Sequence, residues 1–141
     1  MASSPYGGHP VNLDLALRMC ESAVREARRL GALISVAVVD AGGHLMAFQR
    51  MDGADIAGPD LAPGKAYTAV ALRTPTADLA AMVAPRGELY GLASTRFVCV
   101  GGGVPLWDDD VVIGGVGVSG GTPAQDVACA GLAAALWEDL R

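Results

Sequence analysis

Ile34-Ser-Val-Ala-Val-Val-Asp-Ala-Gly-Gly-His-Leu-Met-Ala-Phe-Gln-Arg50 is the stretch that decides the fold. Two runs suited to extended chain, residues 34–40 and 44–50, flank Ala41-Gly42-Gly43. β-branched side chains pack well on a pleated surface, and glycine supplies the positive φ that a tight turn needs. The stretch therefore predicts an antiparallel hairpin, with Asp40 as the turn former at its corner.

Upstream, Leu13, Leu17, Cys20, Val24, Ala27 and Leu30 recur every three or four residues, which predicts an amphipathic helix over 13–30 lying on a sheet. Glu21 stands four residues before Arg25, the spacing of a helical ion pair, and Gly31 stands where a C-cap belongs. Downstream, Gly58, Pro59, Pro63 and Gly64 predict a loop over 55–64, followed by a short helix over 65–72. A further helix is expected over 77–83, with Thr74 as N-cap and Pro75 at its first position. Strands are expected over 96–100 and 111–119, with Asp108-Asp-Asp110 as an acidic turn between them. Thr122, Pro123 and Gln125 form a capping-box start for a closing helix. Helices gathered between two hairpins, and not alternating with strands, do not indicate a doubly wound parallel sheet. The class is α+β, a three-layer sandwich around an antiparallel sheet.

The chain has 141 residues, one domain's worth. Residues 1–11 are expected as a flexible N-terminal segment and 12–141 as the folded domain. At 52% hydrophobic and 18% charged, the composition supports a packed core. A net charge of -5 and the lack of a basic run argue against nucleic acid as a partner. Cys20, Cys99 and Cys129 are far apart and odd in number, which spells neither a disulfide framework nor a metal-ligand set. Without an export signal at the start or an apolar run of about 18 residues, the expectation is a cytoplasmic protein with no membrane partner.

Gly115-Val-Gly117-Val-Ser-Gly120 matches a dinucleotide fingerprint, but no strand follows the closing helix and no acidic residue stands about 20 positions on. The alternative is that these glycines thin a strand so that a helix, a neighbouring chain or a flat ligand can approach its backbone.

Residues 35–54, Lys65-Ala-Tyr-Thr-Ala69, Gly101-Gly-Gly-Val-Pro105, and Ile113-Gly-Gly-Val-Gly-Val-Ser-Gly-Gly121 with Gln125-Asp126 together resemble the GlcG/HbpS family. That family also supplies the C-terminal domain of PduO-type corrinoid adenosyltransferases. The resemblance runs from about residue 12 to residue 138, in order and spacing. It implies a profilin-like α/β/α domain with a five-stranded antiparallel sheet, a homo-oligomer (tetramer or octamer), and a haem or other tetrapyrrole ligand. Relatives that ligate haem through histidine are expected to do so near the first helix, where this chain has none.

Within that frame, Arg50, Asp52 and Lys65 form a candidate clamp for a carboxylate, or else an internal ion pair that pins the loop after the hairpin. Thr68 shares a helical face with Lys65, and His44, Gly102 and Gly103 complete the expected ligand-binding set. His44 and His9 are the two imidazole candidates for iron, and Cys20 is the candidate thiolate. The expected function is a cytosolic oligomeric haem- or small-ligand-binding protein. The alternative is a metal-independent isomerase, lyase or hydrolase acting on a small acid, with Asp52 or Glu88 as base and Lys65, Tyr67 or Tyr90 as acid. A third reading is a non-catalytic assembly protein that uses the Ala-rich closing helix as its interface.

Overall fold

In the computed structural model, which describes residues 11–140, the first helix α1 spans Leu13–Leu30 between two well-formed caps. Asn12 Oδ1 accepts the Leu15 N–H at 2.9 Å, and Gly31 closes the helix at φ 73. The buried face is rotated from the expected one. Leu15, Ala16, Met19, Cys20, Ala23 and Ala27 face inward, whereas Leu13 and Leu17 are exposed. Small side chains win the inner face because α4 (Pro123–Leu140) packs against it through Cys129, Ala130 and Ala133. The expected Glu21–Arg25 pair does not form; on this helix Glu26 instead takes Arg29 Nε at 2.8 Å. Val11, assigned from sequence to the flexible segment, packs in the core at 1% exposure.

The hairpin is β1 (Ser35–Asp40) and β2 (Leu45–Arg50), paired antiparallel with a register shift between Val38 and Val39. Gly43 takes φ 81 in the turn, as such a tight return requires. β3 (Gly103–Asp108) and β4 (Val111–Ser119) form the second hairpin, and the sheet order is β2-β1-β4-β3, antiparallel throughout. Among the described residues the sheet has four strands, not five. The expected strand over 96–100 does not join it, because helix side chains take its backbone groups. Thr68 Oγ1 accepts the Val98 N–H at 2.8 Å and Thr76 Oγ1 donates to Val100 O at 2.7 Å, while just past the segment Lys65 Nζ donates to Gly101 O at 3.0 Å.

Strand alternation separates two faces. Val36, Val38, Val116 and Val118 pack with α1 and α4, while Val39 packs with Ala66 and Val70 of α2 (Gly58–Leu72) on the other side. α2 begins seven residues earlier than proline and glycine suggest. Pro59 sits in the first turn, where a backbone N–H has no helical partner anyway, and Pro63 forfeits a single bond inside the helix, the one to Pro59 O. What holds this helix is its fit on β4. A Cβ at Gly117 would run into the Ala62 carbonyl oxygen and the Ala66 backbone nitrogen, and one at Gly115 into Val70 and the Ala66 carbonyl oxygen, so these two glycines of the fingerprint-like run make room for α2, while Gly120, at φ 130, stands against Leu33. α3 spans Thr76–Val83, with Pro75 rather than Thr74 at the N-cap position. At the last helix the capping box forms as expected: Gln125 N donates to Thr122 Oγ1 at 3.2 Å and Thr122 N to Gln125 Oε1 at 3.0 Å. Among the described residues, no helix is long and apolar enough to cross a membrane.

Candidate functional site

Lys65 is buried at 2% exposure against the start of α4. Its ammonium donates to Gly101 O at 3.0 Å, Val118 O at 2.9 Å and Asp126 Oδ2 at 3.2 Å, which uses all three N–H groups. Asp126 Oδ1 in turn accepts the Gly121 N–H at 2.9 Å. Burial pushes the Asp126 carboxyl above its ordinary range, against the pull of Lys65 and the backbone donors. Gly102, at φ 130, and Gly103 are packed around this pair: a Cβ on Gly102 would come within 3.1 Å of Lys65 Nζ, and one on Gly103 would collide with the Lys65 carbonyl oxygen. Thr68 donates back to Gly64 O at 2.7 Å while holding Val98. Lys65, Thr68, Gly102 and Gly103 thus form one buried lock between α2, the run before β3 and the start of α4. A depression of about 290 Å³ lies over it, lined in part by Lys65, Asp126, Val98, Val100 and Ser119.

Arg50 and Asp52 stand elsewhere. They line a separate depression of about 320 Å³ between the end of β2 and α1, together with Gln49, Met51, Val24 and Arg28. Arg50 Nη1 reaches Ala54 O at 3.4 Å. The three-residue clamp therefore does not assemble, and Lys65 has no free N–H to serve as an acid there. Glu88 and Tyr90 are exposed and line neither depression.

A third cluster gathers at the β1–β2 turn. Asp40 Oδ1 accepts the backbone N–H groups of Gly42 at 2.9 Å and His44 at 3.0 Å, and the His44 ring Nδ1 lies 3.3 Å away. Burial alone would raise the Asp40 carboxyl. The hydrogen bonds from His44 and Gly42 and the charge of the imidazole outweigh it and hold Asp40 below its ordinary value. The His44 side chain is 82% exposed. One ring nitrogen, Nδ1, is thus turned to the carboxylate, and Nε2, on the other side of the ring, is turned away from it. Beneath the turn, the Tyr67 ring fills the space where a Cβ on Gly43 would sit, stacks on Phe97 at 6.1 Å, and carries the Arg96 guanidinium 3.5 Å over its face.

Cys20 has no exposed surface, and burial, followed by the charge of Glu21, pushes its thiol up to about 11. It is a neutral core thiol at ordinary pH, not a ligand in waiting. His9 lies outside the described residues. Two features escaped the sequence. Asp126 as the partner of Lys65 had no local signal, and the Arg96-Tyr67-Phe97 stack was hidden by the reading of residues 96–100 as strand.

An antiparallel sheet with helices on both faces, one of them seated directly on strand glycines and tied down by a buried Lys–Asp lock, defines a small α+β domain of a recurrent kind. The family model described as "Haem degrading protein HbpS-like" matches residues 11–135, and the chain belongs to that family. The chain is 42% identical over 113 residues to the corrinoid adenosyltransferase PduO of Salmonella typhimurium, with 78% of this chain but only 34% of that protein covered. It therefore spans about a third of that relative's length. Among solved structures, it is similar to the Klebsiella pneumoniae protein ORFY (TM-score 0.88, 35% identity, 93% of this chain and 92% of that one). It is also similar to a structure titled the PduOC:heme complex (TM-score 0.85, 39% identity, 89% of this chain and 94% of that one).

Proposed function

We propose that this protein is a haem-binding member of the HbpS-like family, with His44 as the iron ligand. The observation that carries the reading is the Asp40–His44 pair. An imidazole held at 3.3 Å by a carboxylate, with its other nitrogen open to solvent, is the donor arrangement that metal-binding histidines use. The half-buried Phe97, stacked on Tyr67 beneath the turn, offers apolar surface, and the exposed Arg96 offers a cation for a propionate. Bound there, haem would supply a redox-active iron and a visible absorption band. This chain's own residues would orient the imidazole, cover part of the ring and neutralise a carboxylate. The likeness to the PduOC:heme complex supports the same ligand.

The reading extends to a cytosolic homo-oligomer, a tetramer or octamer. α4 is apolar on more than its core side, with Val127 and Leu132 exposed at 39% and 45%, and an apolar outer face of this sort favours burial against another copy. The enzyme alternative built on Arg50, Asp52 and Lys65 has no assembled site to support it.

Haemin titration followed by visible absorption, with size-exclusion chromatography alongside, tests the proposal. The unaltered protein and Cys20→Ala are expected to give a saturable Soret shift. His44→Ala is expected to abolish it, and Asp40→Asn to weaken binding roughly 10- to 100-fold, as loss of a histidine's outer partner does. A non-saturating response in the unaltered protein would overturn haem binding. An unchanged shift in His44→Ala would overturn the assignment of the ligand.

A further inference from the structure

Ser35 and Ser119 stand directly opposite each other where β1 begins and β4 ends, so their side chains share the α2 face of the sheet. Both are buried, at 1% and 5% exposure. Ser35 Oγ, packed against Gly58, has no hydrogen-bond partner among the described residues. Ser119 makes no side-chain hydrogen bond among them either, and it lines the depression of about 290 Å³ over the Lys65–Asp126 lock. Buried hydroxyls are ordinarily satisfied, so two neighbouring ones with unused lone pairs are acceptors held ready for a donor.

The exposed Asp55 lines the same depression, which meets a wider one of about 520 Å³ at Asp55, Gly120 and Gly121. Asp55 Oδ1 accepts the Gly58 N–H at 2.9 Å, and among the described residues its second oxygen has no partner. Arg50 donates to Ala54 O at 3.4 Å and, among the described residues, makes no ion pair with Asp55. The other charges in the lining cancel, because Lys65 spends its three N–H groups on Asp126 and two carbonyls. Donors at the start of α4 are spent as well: the Gly121 N–H goes to Asp126 Oδ1 and the Thr122 N–H to Gln125 Oε1. The depression thus offers acceptors and one uncompensated negative charge, while these N–H groups are closed to an anion. Leu61, Val98, Val100 and Pro123 make the rest of its wall apolar.

We propose that this depression binds a short primary alkylammonium. The ammonium donates to the free Asp55 oxygen and to Ser119 Oγ and keeps its third N–H for water, while the alkyl chain lies along Leu61, Val98, Val100 and Pro123. A neutral alcohol would gain the hydroxyl contact without the attraction to Asp55, and a carboxylate would meet Asp55 with like charge. The net charge of -5 favours a cation on approach. The site is separate from the proposed haem site, because Ser35 and Asp40 are the two ends of β1, roughly 17 Å apart. The two readings stand or fall independently.

Binding is measured by NMR shift perturbation and calorimetry at low salt and neutral pH, where n-butylamine is an ammonium, with 1-butanol and butyrate as controls. The expected result is saturable butylammonium binding that weakens as salt is added, with shifts gathered at Leu61, Val98, Val100 and Gly120. Asp55→Asn keeps an oxygen for the Gly58 N–H but removes the charge, and should weaken binding roughly 10- to 100-fold, the scale of a hydrogen bond to a charged group. Ser119→Ala should weaken it about fivefold, the scale of a neutral one. Asp108→Asn removes the same charge beside Val111, at the far end of β4, and should leave binding unchanged. Circular dichroism should show the fold intact in each variant. The proposal is overturned by no saturation with butylammonium, by butanol or butyrate binding as tightly, by indifference to Asp55→Asn, or by equal weakening in Asp108→Asn.

Discussion

Lys65 Nζ and Asp126 Oδ2 meet at 3.2 Å across 61 residues of chain, both sealed from solvent and both with their remaining hydrogen bonds filled by backbone. The pair joins α2 to α4 across the end of β4, so elements on opposite faces of the sheet are tied at one point. Removing one partner costs far more than the pair itself is worth, because the other charge stays buried alone. Lys65→Met is expected to lower unfolding free energy in urea by about 3–5 kcal/mol. Lys65→Met combined with Asp126→Leu should recover part of that loss. A Lys65→Met variant within about 1 kcal/mol of the unaltered protein, below the range for a broken buried pair, would show that the lock carries little stability.

Gly117 and Gly131 make opposite predictions from the same substitution. At Gly117 the new methyl meets α2 backbone, which cannot rotate away, so Gly117→Ala should destabilise by about 1–3 kcal/mol or more and loosen α2. At Gly131, on the exposed side of α4, a Cβ meets nothing within 4 Å. Gly131→Ala should stabilise by about 0.5–1 kcal/mol through helix propensity alone. Paired urea melts of the two variants check both signs.

The three thiols should be slow to react in the folded protein. Burial first, and then the charges of Asp126 and Glu26, push Cys129 up to about 11, as burial and Glu21 do for Cys20. Cys99 is raised by burial as well. At pH 8 the thiolate fraction of Cys20 and Cys129 is then roughly a hundredfold below that of a free cysteine. Labelling with a thiol reagent, resolved by peptide mass spectrometry, should show Cys20 and Cys129 protected until denaturant is added. Rapid native labelling of Cys20 would contradict its place in the core.

Local signals carried most of the fold. The hairpin with its Gly43 turn, α1 with its Gly31 end, and the capping box of Thr122 and Gln125 are each written in a few adjacent residues. The misreadings share one cause, tertiary contact overriding local preference. Pro59 and Pro63 mark a loop by propensity, yet the glycines of β4 let α2 lie so close that the helix forms through them. Residues 96–100 read as strand, but Thr68 and Thr76 take the Val98 N–H and the Val100 carbonyl. The clamp failed for the same reason. Lys65 pairs with a residue 61 positions away, and no spacing rule reaches that far. The exposed turn histidine was visible as a residue, but its role depends on which neighbours the fold supplies.

Asp40 gives the pH prediction. Its folded-state pKa is held below the ordinary 3.8 by hydrogen bonds from Gly42 and His44 and by the imidazole, in excess of what burial adds. For a carboxyl depressed by folding, the unfolded chain binds the proton more readily, so the stabilisation is present above the unfolded value and is lost as pH falls through the folded one. A side-chain carboxyl titration by NMR should therefore place Asp40 below 3.8 in the unaltered protein. His44→Ala should move the midpoint upward, because the ring contact at 3.3 Å disappears, while the Gly42 N–H keeps part of the depression. If His44→Ala leaves the midpoint where it was, the imidazole is not held by Asp40. The orientation that makes Nε2 available to iron would then lose its physical basis.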